Sequence, residues 1–161
     1  MLRRQNDPTP KDVYDAALKL LSYRPRSEQE LVRRLNRSYP HSPALVADAL
    51  ARLKDLGLLD DASFSRFWRE SRERNRPRGA AVIRWELLRK GVQREVAEES
   101  LLGIDEEENA LHAARGLERR LDTTDYNAFR TKLVPYLRRR GFRSGVVSNT
   151  VKLLWQELAD P

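Results

Sequence analysis

The sequence predicts an all-α protein organised as a tandem array of three three-helix modules. Apolar residues recur at helical spacing along the whole chain, and only 7 Gly and 8 Pro interrupt the pattern. Hydrophobic residues make up 40% of the 161 residues and charged residues 34%, a balance that disfavours one large compact core. The chain also aligns with itself at a period of about fifty residues, which is typical of helical repeats. We therefore expect an elongated array that can be curved.

Start and stop residues mark the first three of about nine helices. Apolar spacing predicts a first helix over 13–24, which ends before Pro25 because a residue that precedes proline disfavours helical geometry. Ser27-Glu28-Gln29-Glu30 is a capping box and starts the second helix. Ser42 followed by Pro43 starts the third, and Gly57 ends it.

The middle three helices include the most aromatic segment. The adjacent Asp60 and Asp61 are better explained as the cap of the fourth helix than as a catalytic acid/base pair. The aromatic residues of that helix are Phe64, Phe67 and Trp68. The fifth helix is expected over 79–90, with its stop at Gly91, and the sixth contains Val96, Ala97 and Leu101.

The last three helices follow an acidic run. Asp105-Glu106-Glu107-Glu108 suits a helix N-terminus, where the helix dipole favours negative charge. The apolar residues expected in the seventh helix are Ala110, Ala114, Leu117 and Leu121. The eighth ends at Gly141, and Pro135 within its pattern predicts a kink or a late start. The ninth contains Val147 to Leu158.

The internal repeat defines the expected modules. Apolar positions of the second helices match at offsets of 52 and then 50 residues, in the order Leu31 and Leu35, Ile83 and Leu87, Leu133 and Leu137. We expect a flexible N-terminal segment over 1–10, and modules over 11–60, 61–104 and 105–161. Because a module of about fifty residues buries little apolar surface alone, neighbouring modules should support one another.

The charge points to a polyanionic partner. The chain carries a net charge of +7, and its basic residues are 25 Arg and only 6 Lys. Arginine suits bidentate contact with phosphates and carboxylates, so a nucleic-acid backbone and an acidic protein surface both fit. Two basic blocks, over 66–94 and 130–143, flank an acidic block over 95–109.

Composition excludes much of enzyme chemistry. Without cysteine there is no thiolate nucleophile or zinc–thiolate site, and His41 and His112 are isolated. No nucleophile with a base and no phosphate-binding loop is found. We therefore expect a protein that is not an enzyme and needs no metal or cofactor. The chain lacks an apolar run of bilayer length and a signal peptide, so we expect a cytoplasmic protein without membrane contact. We also expect a monomer, because no exposed apolar heptad suggests a dimer seam.

Several segments resemble the RecX family. Residues 58–67 have the sequence LLDDASFSRF, and 83–92 have IRWELLRKGV. Residues 26–31 (RSEQEL) and 137–142 (LRRRGF) resemble the corresponding parts of the first and third repeats. The resemblance extends over nearly the whole chain. One departure is Ala80, where the family commonly has proline, and it affects the expected entry into the fifth helix.

The resemblance implies a regulatory protein. A member of this family would bind the RecA recombinase filament and modulate, mainly inhibit, its recombinase, ATPase and co-protease activities in homologous recombination, DNA repair and the SOS response. It could also contact single- or double-stranded DNA. The alternative from the residues alone is a DNA-binding module of the helix-turn-helix type, but the arginines are spread over several helices and not gathered on one recognition helix.

The candidate binding residues are basic. The alternative for each is a solvated helix end, or for the last cluster a favourable place beside a helix dipole. The candidates are Arg69, Arg72, Arg76 and Arg78; Arg84, Arg89 and Lys90; and Arg138, Arg139, Arg140 and Arg143. Trp68, Trp85 and Trp155 could stack on bases, but their spacing favours core positions, least clearly for Trp85 with its polar neighbours.

Overall fold

The structure, a computed structural model, describes residues 7–159, and within them the chain is helical with no strand. The helices are α1 Pro10–Tyr23, α2 Glu28–Ser38, α3 Pro43–Asp55, α4 Asp61–Asn75, α5 Ala80–Arg89, α6 Arg94–Leu101, α7 Glu106–Arg115, α8 Tyr126–Arg139 and α9 Ser144–Ala159, with a 3₁₀ turn at Glu118–Arg120. None of the helices in 7–159 is long and apolar enough to span a membrane.

The helices form three consecutive three-helix units, each with its own core. Unit 1 is α1 to α3, unit 2 is α4 to α6 and unit 3 is α7 to α9, and the helices of each unit pack mainly against one another. Fully buried leucines and phenylalanines lie at the three centres: Leu31, Leu35 and Leu53; Phe64 and Leu87; Phe129, Leu133 and Leu154. The predicted all-α tandem array is confirmed.

The three small cores leave a large surface. The accessible area is 10842 Å². A compact monomer of 18.8 kDa would expose about 8,300 Å². The excess is the expected consequence of an elongated array, in which each unit contacts only its neighbours in sequence.

The predicted starts of α2, α4 and α7 are confirmed, whereas α1 begins at Pro10, three residues before the predicted start, and Ser42 precedes α3 without a side-chain capping hydrogen bond. Ser27 accepts from the amide of Glu30, and the Glu30 carboxylate accepts from the amide of Ser27, which completes the predicted capping box. Asp60 accepts from the amide of Ala62 at 3.0 Å and caps α4. Asp105 accepts from the amide of Glu108 at 3.0 Å and caps α7.

Two local expectations were wrong. Leu117 and Leu121 do not extend α7, which ends at Arg115 and is followed by the short 3₁₀ turn, although both leucines still pack against the core of unit 3. The late start of the eighth helix was also wrong, because α8 begins at Tyr126 and contains Pro135 in its interior.

The exact module boundaries, 11–60, 61–104 and 105–161, stay a prediction. Residues 1–6 of the expected flexible segment lie outside the described part of the chain. Thr9 and Pro10, also assigned to that segment, already begin α1: Thr9 forms a capping box with Asp12.

The first joint links unit 1 to unit 2. The Ser27 hydroxyl donates to the carbonyl oxygen of Lys90 at 2.6 Å, and the Glu28 amide donates to Asp61 Oδ1 at 2.8 Å. Lys90 Nζ donates to Glu30 Oε1 at 2.9 Å. Burial raises the pKa of Asp61, although the hydrogen bond from the Glu28 amide acts in the opposite direction.

The second joint links unit 2 to unit 3 with the same plan. The Gly79 amide donates to the carbonyl oxygen of Arg140 at 2.8 Å. The Ala80 amide donates to Glu106 Oε1 at 2.8 Å, and Arg143 Nε donates to the other oxygen of the same carboxylate at 2.8 Å. The two joints therefore share one contact. In each, a backbone N–H at the start of one unit's second helix donates a hydrogen bond to the carboxylate of the first residue in the next unit's first helix.

The second helices of the three units follow one another end to end. The C-terminal end of α8 contacts the N-terminal end of α5 at Gly79, and the C-terminal end of α5 contacts the N-terminal end of α2 at Ser27. Each contact places a helix C-terminal carbonyl against a helix N-terminal donor, which is a favourable arrangement of the helix dipoles. We call α8, α5 and α2, in this order, the second-helix row.

Candidate functional interface

The carboxylate of Glu86 contacts two of the predicted arginines, Arg72 and Arg78, inside unit 2. Arg72 donates to both oxygens of Glu86, at 2.9 and 3.0 Å, and Trp68 Nε1 donates to one of them at 2.8 Å. Arg78 Nε lies 3.8 Å from the same carboxylate. The Arg72 guanidinium also covers the Trp68 ring, 4.7 Å from its centroid. These contacts hold α4 to α5, so Arg72 and Arg78 have a structural role.

Two further predicted arginines also bind within unit 2. Arg69 donates to Glu73 at 3.0 Å and to the carbonyl oxygens of Ser100 and Leu102 at 3.0 and 2.8 Å, and so ties α4 to the end of α6. Arg84 forms a two-point ion pair with Glu98. Because partners within the chain occupy these guanidinium groups, they have fewer donors left for another molecule.

Lys90 belongs to the first joint. Its ammonium group contacts Glu30 and lies 4.4 Å from the centroid of the Trp68 ring. Glu30 also accepts from Arg24 at 3.1 Å. Burial acts to raise the pKa of Glu30. The hydrogen bonds from Arg24, Lys90 and the Ser27 amide act in the opposite direction and outweigh burial, so the pKa is lowered to about 2. This ionised carboxylate fixes Lys90 between unit 1 and unit 2.

Arg140 and Arg143 lie at the second joint. Arg140 donates to the carbonyl oxygen of Pro77 and covers the Tyr136 ring, 4.5 Å from its centroid. The Arg143 side chain is 77% exposed, but its Nε holds the buried carboxylate of Glu106. Arg143 therefore combines a joint contact with solvent access.

The remaining predicted residues are exposed and form no side-chain ion pair or hydrogen bond within 7–159. The residues in this group are Arg76, Arg89, Arg138 and Arg139. Arg89 has one partner, the ring of Trp85, which lies 4.7 Å below its guanidinium. The structure thus divides the predicted arginines into those that hold the fold and those that face solvent.

Sequence reasoning missed three exposed arginines on α2. Arg33, Arg34 and Arg37 face solvent, and across the described residues none of them pairs with a carboxylate. A pattern in the sequence could have found Arg37, because the offsets of 52 and 50 residues place it at the same position as Arg89 and Arg139.

The three tryptophans differ. Trp68 packs on Phe64 with ring centroids 5.9 Å apart, and Trp155 packs edge-on against Phe129 at 5.2 Å, which confirms their core positions. Trp85 is 56% exposed, so the core position was wrong for this residue. Its place on α5 turns the ring away from the buried Ile83 and Leu87.

A cleft lies beside the second joint. The cleft at the second joint has a volume of about 650 Å³ and is lined by acidic and basic side chains that include Glu106 and Arg143. No cluster of three or more potential metal ligands occurs among residues 7–159. The surface with the clearest chemistry is therefore the set of exposed arginines.

Comparison with known proteins gives a consistent set of similarities. Residues 14–53 match the model of the first three-helix domain of RecX, and 60–101 match that of the second. The chain is 33% identical to the regulatory protein RecX of Chlorobium phaeobacteroides, over 93% of this chain and 98% of the relative. It is 34% identical to that of Mycolicibacterium smegmatis, over 86% and 77%.

Solved structures show the same fold. The crystal structure of RecX from Lactobacillus salivarius superposes with a TM-score of 0.77 at 24% identity, covering 90% of this chain and 96% of that one. A second crystal structure of a regulatory protein RecX superposes with a TM-score of 0.75, covering 89% and 73%.

Proposed function

The chain belongs to the RecX family of regulatory proteins, and we propose that it binds the RecA recombinase filament and mainly inhibits its recombinase, ATPase and co-protease activities. Through this inhibition it would regulate homologous recombination, DNA repair and the SOS response in the cytoplasm. The observation that carries the proposal is the family match, which extends over 93% of the chain and nearly all of the first relative.

The arrangement of charge supports this proposal. The helical array exposes arginines from more than one unit, including Arg37, Arg89 and Arg139. A filament repeats its surface at regular intervals, so a tandem array can contact several equivalent places on it. We propose that the protein acts as a monomer and by binding alone, without catalysis and without a cofactor.

The first experiment measures RecA ATP hydrolysis on single-stranded DNA while this protein is added. We expect inhibition well below one molecule per recombinase subunit, and we expect extra DNA to leave it unchanged. Inhibition that disappears as DNA is added would contradict the proposal and favour simple competition for DNA, as the helix-turn-helix alternative requires.

A pair of charge-reversal variants tests the predicted site. Arg138 and Arg139 are exposed and outside any ion pair of the described chain, so Arg138→Glu with Arg139→Glu should raise the concentration for half-inhibition about tenfold without loss of the fold. Arg119→Glu with Arg120→Glu is the matched control, since it makes the same charge change on the 3₁₀ turn. Equal inhibition by both variants would remove Arg138 and Arg139 from the interface.

A further inference from the structure

A cleft runs between α4 and α6 in unit 2, and we call it the α4–α6 cleft. Its volume is about 710 Å³. On α4 its lining residues extend from Ala62 to Glu73, which is about three turns, or about 17 Å, of helix. On α6 they extend from Glu95 to Leu102, just beyond the end of that helix. A groove between two neighbouring helices has the shape into which a third helix packs.

Carboxylates outnumber basic side chains in this cleft. Four glutamates line it against two arginines, in a chain whose net charge is +7. One of the glutamates, Glu73, is paired with Arg69 at 3.0 Å. The other arginine, Arg66, donates to the hydroxyl of Ser63 at 3.1 Å. The cleft is therefore a local negative surface on a basic protein.

The three remaining glutamates of the cleft are Glu70, Glu95 and Glu99. All three are exposed, and across residues 7–159 none of them forms an ion pair. Glu95 and Glu99 are four residues apart on α6, a spacing at which like charges repel each other. The end of α6 adds to the negative potential, and two of its carbonyl oxygens already accept from Arg69. A cationic partner would relieve this repulsion.

Apolar surface lies among these carboxylates. Leu102 follows the last residue of α6, and it is 66% exposed at the end of the cleft. Val96 is half-buried and lines the cleft on the same helix, and Ala62 is small, so it leaves space opposite. An apolar strip edged by negative charge complements a helix that carries apolar residues on one side and lysine or arginine beside them.

We propose that the α4–α6 cleft is a docking site for a basic amphipathic helix of a partner protein. The apolar side of that helix lies on Val96 and Leu102, and its cations pair with Glu70, Glu95 and Glu99. A small polyamine has no apolar side with which to cover Leu102, and a polyanion is repelled. The cleft thus selects a partner of the opposite charge from the one that the exposed arginines select, and its occupation does not depend on the function proposed above.

The test measures binding of a fluorescent peptide made of three Leu-Lys-Lys-Leu repeats, without recombinase or DNA. The leucines of this peptide share one face of a helix of about three turns, which matches the length of the cleft. Fluorescence anisotropy gives the affinity. We expect Glu70→Gln with Glu95→Gln and Glu99→Gln to weaken binding about tenfold, since three exposed ion pairs each contribute modestly.

The control for the glutamates is Asp48→Asn with Glu108→Gln and Glu118→Gln. This variant removes the same charge from exposed positions outside the cleft, so the affinity should not change. Circular dichroism should show that both triple variants are folded. The thermal midpoint of the cleft variant should not fall, because it removes a repulsion between like charges.

A second pair of variants tests the apolar contact. Leu102→Ser should weaken binding about fivefold, because the leucine loses apolar surface that the peptide covers. Leu58→Ser is the matched control and should bind as the wild type does. Leu58 is also exposed, at 52%, and also lies beside a glycine with φ +70°, but it lies outside this cleft.

Several results would overturn the proposal. Unchanged binding by the cleft variant would do so, and an equal loss in its control would indicate diffuse attraction. A lower thermal midpoint in the cleft variant would assign these glutamates to the fold. Full displacement of the peptide by an equal concentration of spermidine would indicate a site for small polycations. Self-association that the cleft variant abolishes, measured by sedimentation without peptide, would indicate a second copy of this chain as the occupant. Because the assay contains no recombinase, none of these results bears on filament inhibition.

Discussion

At the scale of single residues, Glu30 joins two units through its charge. Its carboxylate is part of the α2 capping box and also binds Arg24 and Lys90. Because these partners hold the pKa near 2, below the ordinary value of 4.5, the folded protein binds this proton less readily than the unfolded chain. The resulting stability is fully present above pH 4.5 and is lost as the pH falls toward 2.

We therefore predict that Glu30→Gln lowers the free energy of unfolding at pH 7, by at most about 3 kcal/mol, given about 1.4 kcal/mol for each pKa unit. The difference from the wild type should shrink steadily between pH 5 and pH 2. Urea unfolding at a series of pH values measures it, with Glu107→Gln as a control on an exposed residue of the α7 first turn. A difference that does not change with pH would contradict this assignment.

The sequence could predict which residues are basic but could not sort their roles. Arg72 and Arg76 lie on the same helix flank by periodicity, yet Arg72 is held by Glu86 while Arg76 faces solvent. The difference depends on a carboxylate on another helix, 14 residues along the chain. Replacing Arg69 and Arg72 would therefore disturb unit 2 itself and would not report cleanly on binding.

The exposure of Trp85 could not be predicted for a similar reason. Periodicity assigns aromatic residues to the core, but it does not say which way a ring with polar neighbours turns. In contrast, the caps at Ser27, Asp60 and Asp105 depend on hydrogen bonds within a few residues, so the local sequence was enough to predict them.

At the scale of helices, glycines control how the ends of α5 and α8 meet their neighbours. Gly141 has φ +86°, and an added Cβ would overlap the side chain of Val82 across the second joint. Gly57 has a similar φ of +70°, but an added Cβ there would meet no atom within 4 Å. A side chain would therefore cause backbone strain at both glycines, but only at Gly141 would it also collide with a neighbouring side chain.

We predict that Gly141→Ala destabilises the protein more than Gly57→Ala. The change at Gly57 should cost about 1 kcal/mol, the ordinary penalty for a left-handed residue with a side chain. The change at Gly141 should cost about 1–3 kcal/mol more, because Val82 must also move. Denaturant unfolding of both variants gives the comparison, and equal losses would mean that Val82 moves aside without cost.

The joints explain why a repeat was visible in the sequence. The Gly79 and Ser27 positions match at an offset of 52 residues, and both donate to the last carbonyls of the next second helix. Ala80 contributes a hydrogen bond that proline could not form. Its N–H donates to Glu106, and a proline at this position would have no N–H to donate. The departure from the family pattern thus adds a hydrogen bond to the second joint.

At the scale of the whole molecule, the ends of the row differ from its joints. After α2 the chain continues with Tyr39, whereas the equivalent position is Gly91 after α5 and Gly141 after α8. At the other end, α8 begins at Tyr126 with the Asp125 cap, and so contains an extra turn before the equivalent of Gly79. Among residues 7–159, neither end of the row therefore repeats the contacts seen at the two joints.

The coupling between units should therefore depend on the few atoms of each joint. Gly79 has no left-handed backbone strain, but an added Cβ would overlap the carbonyl oxygen of Gly141. Gly79→Ala should consequently loosen the second joint without disturbing the three cores. The expected result is that the amides of α8 and α9 exchange with solvent about tenfold faster, while those of α1 to α3 keep their protection.

Hydrogen exchange resolved by peptide measures this effect, and Gly145→Ala is the control. Gly145 also lies in unit 3, but an added Cβ there would meet no atom within 4 Å, so this change should preserve or raise protection. Faster exchange across all three units in Gly79→Ala would show that the array unfolds as one cooperative body. Faster exchange confined to unit 3 would instead follow from nearest-neighbour coupling, which is what three separate cores joined by short hydrogen-bonded contacts require.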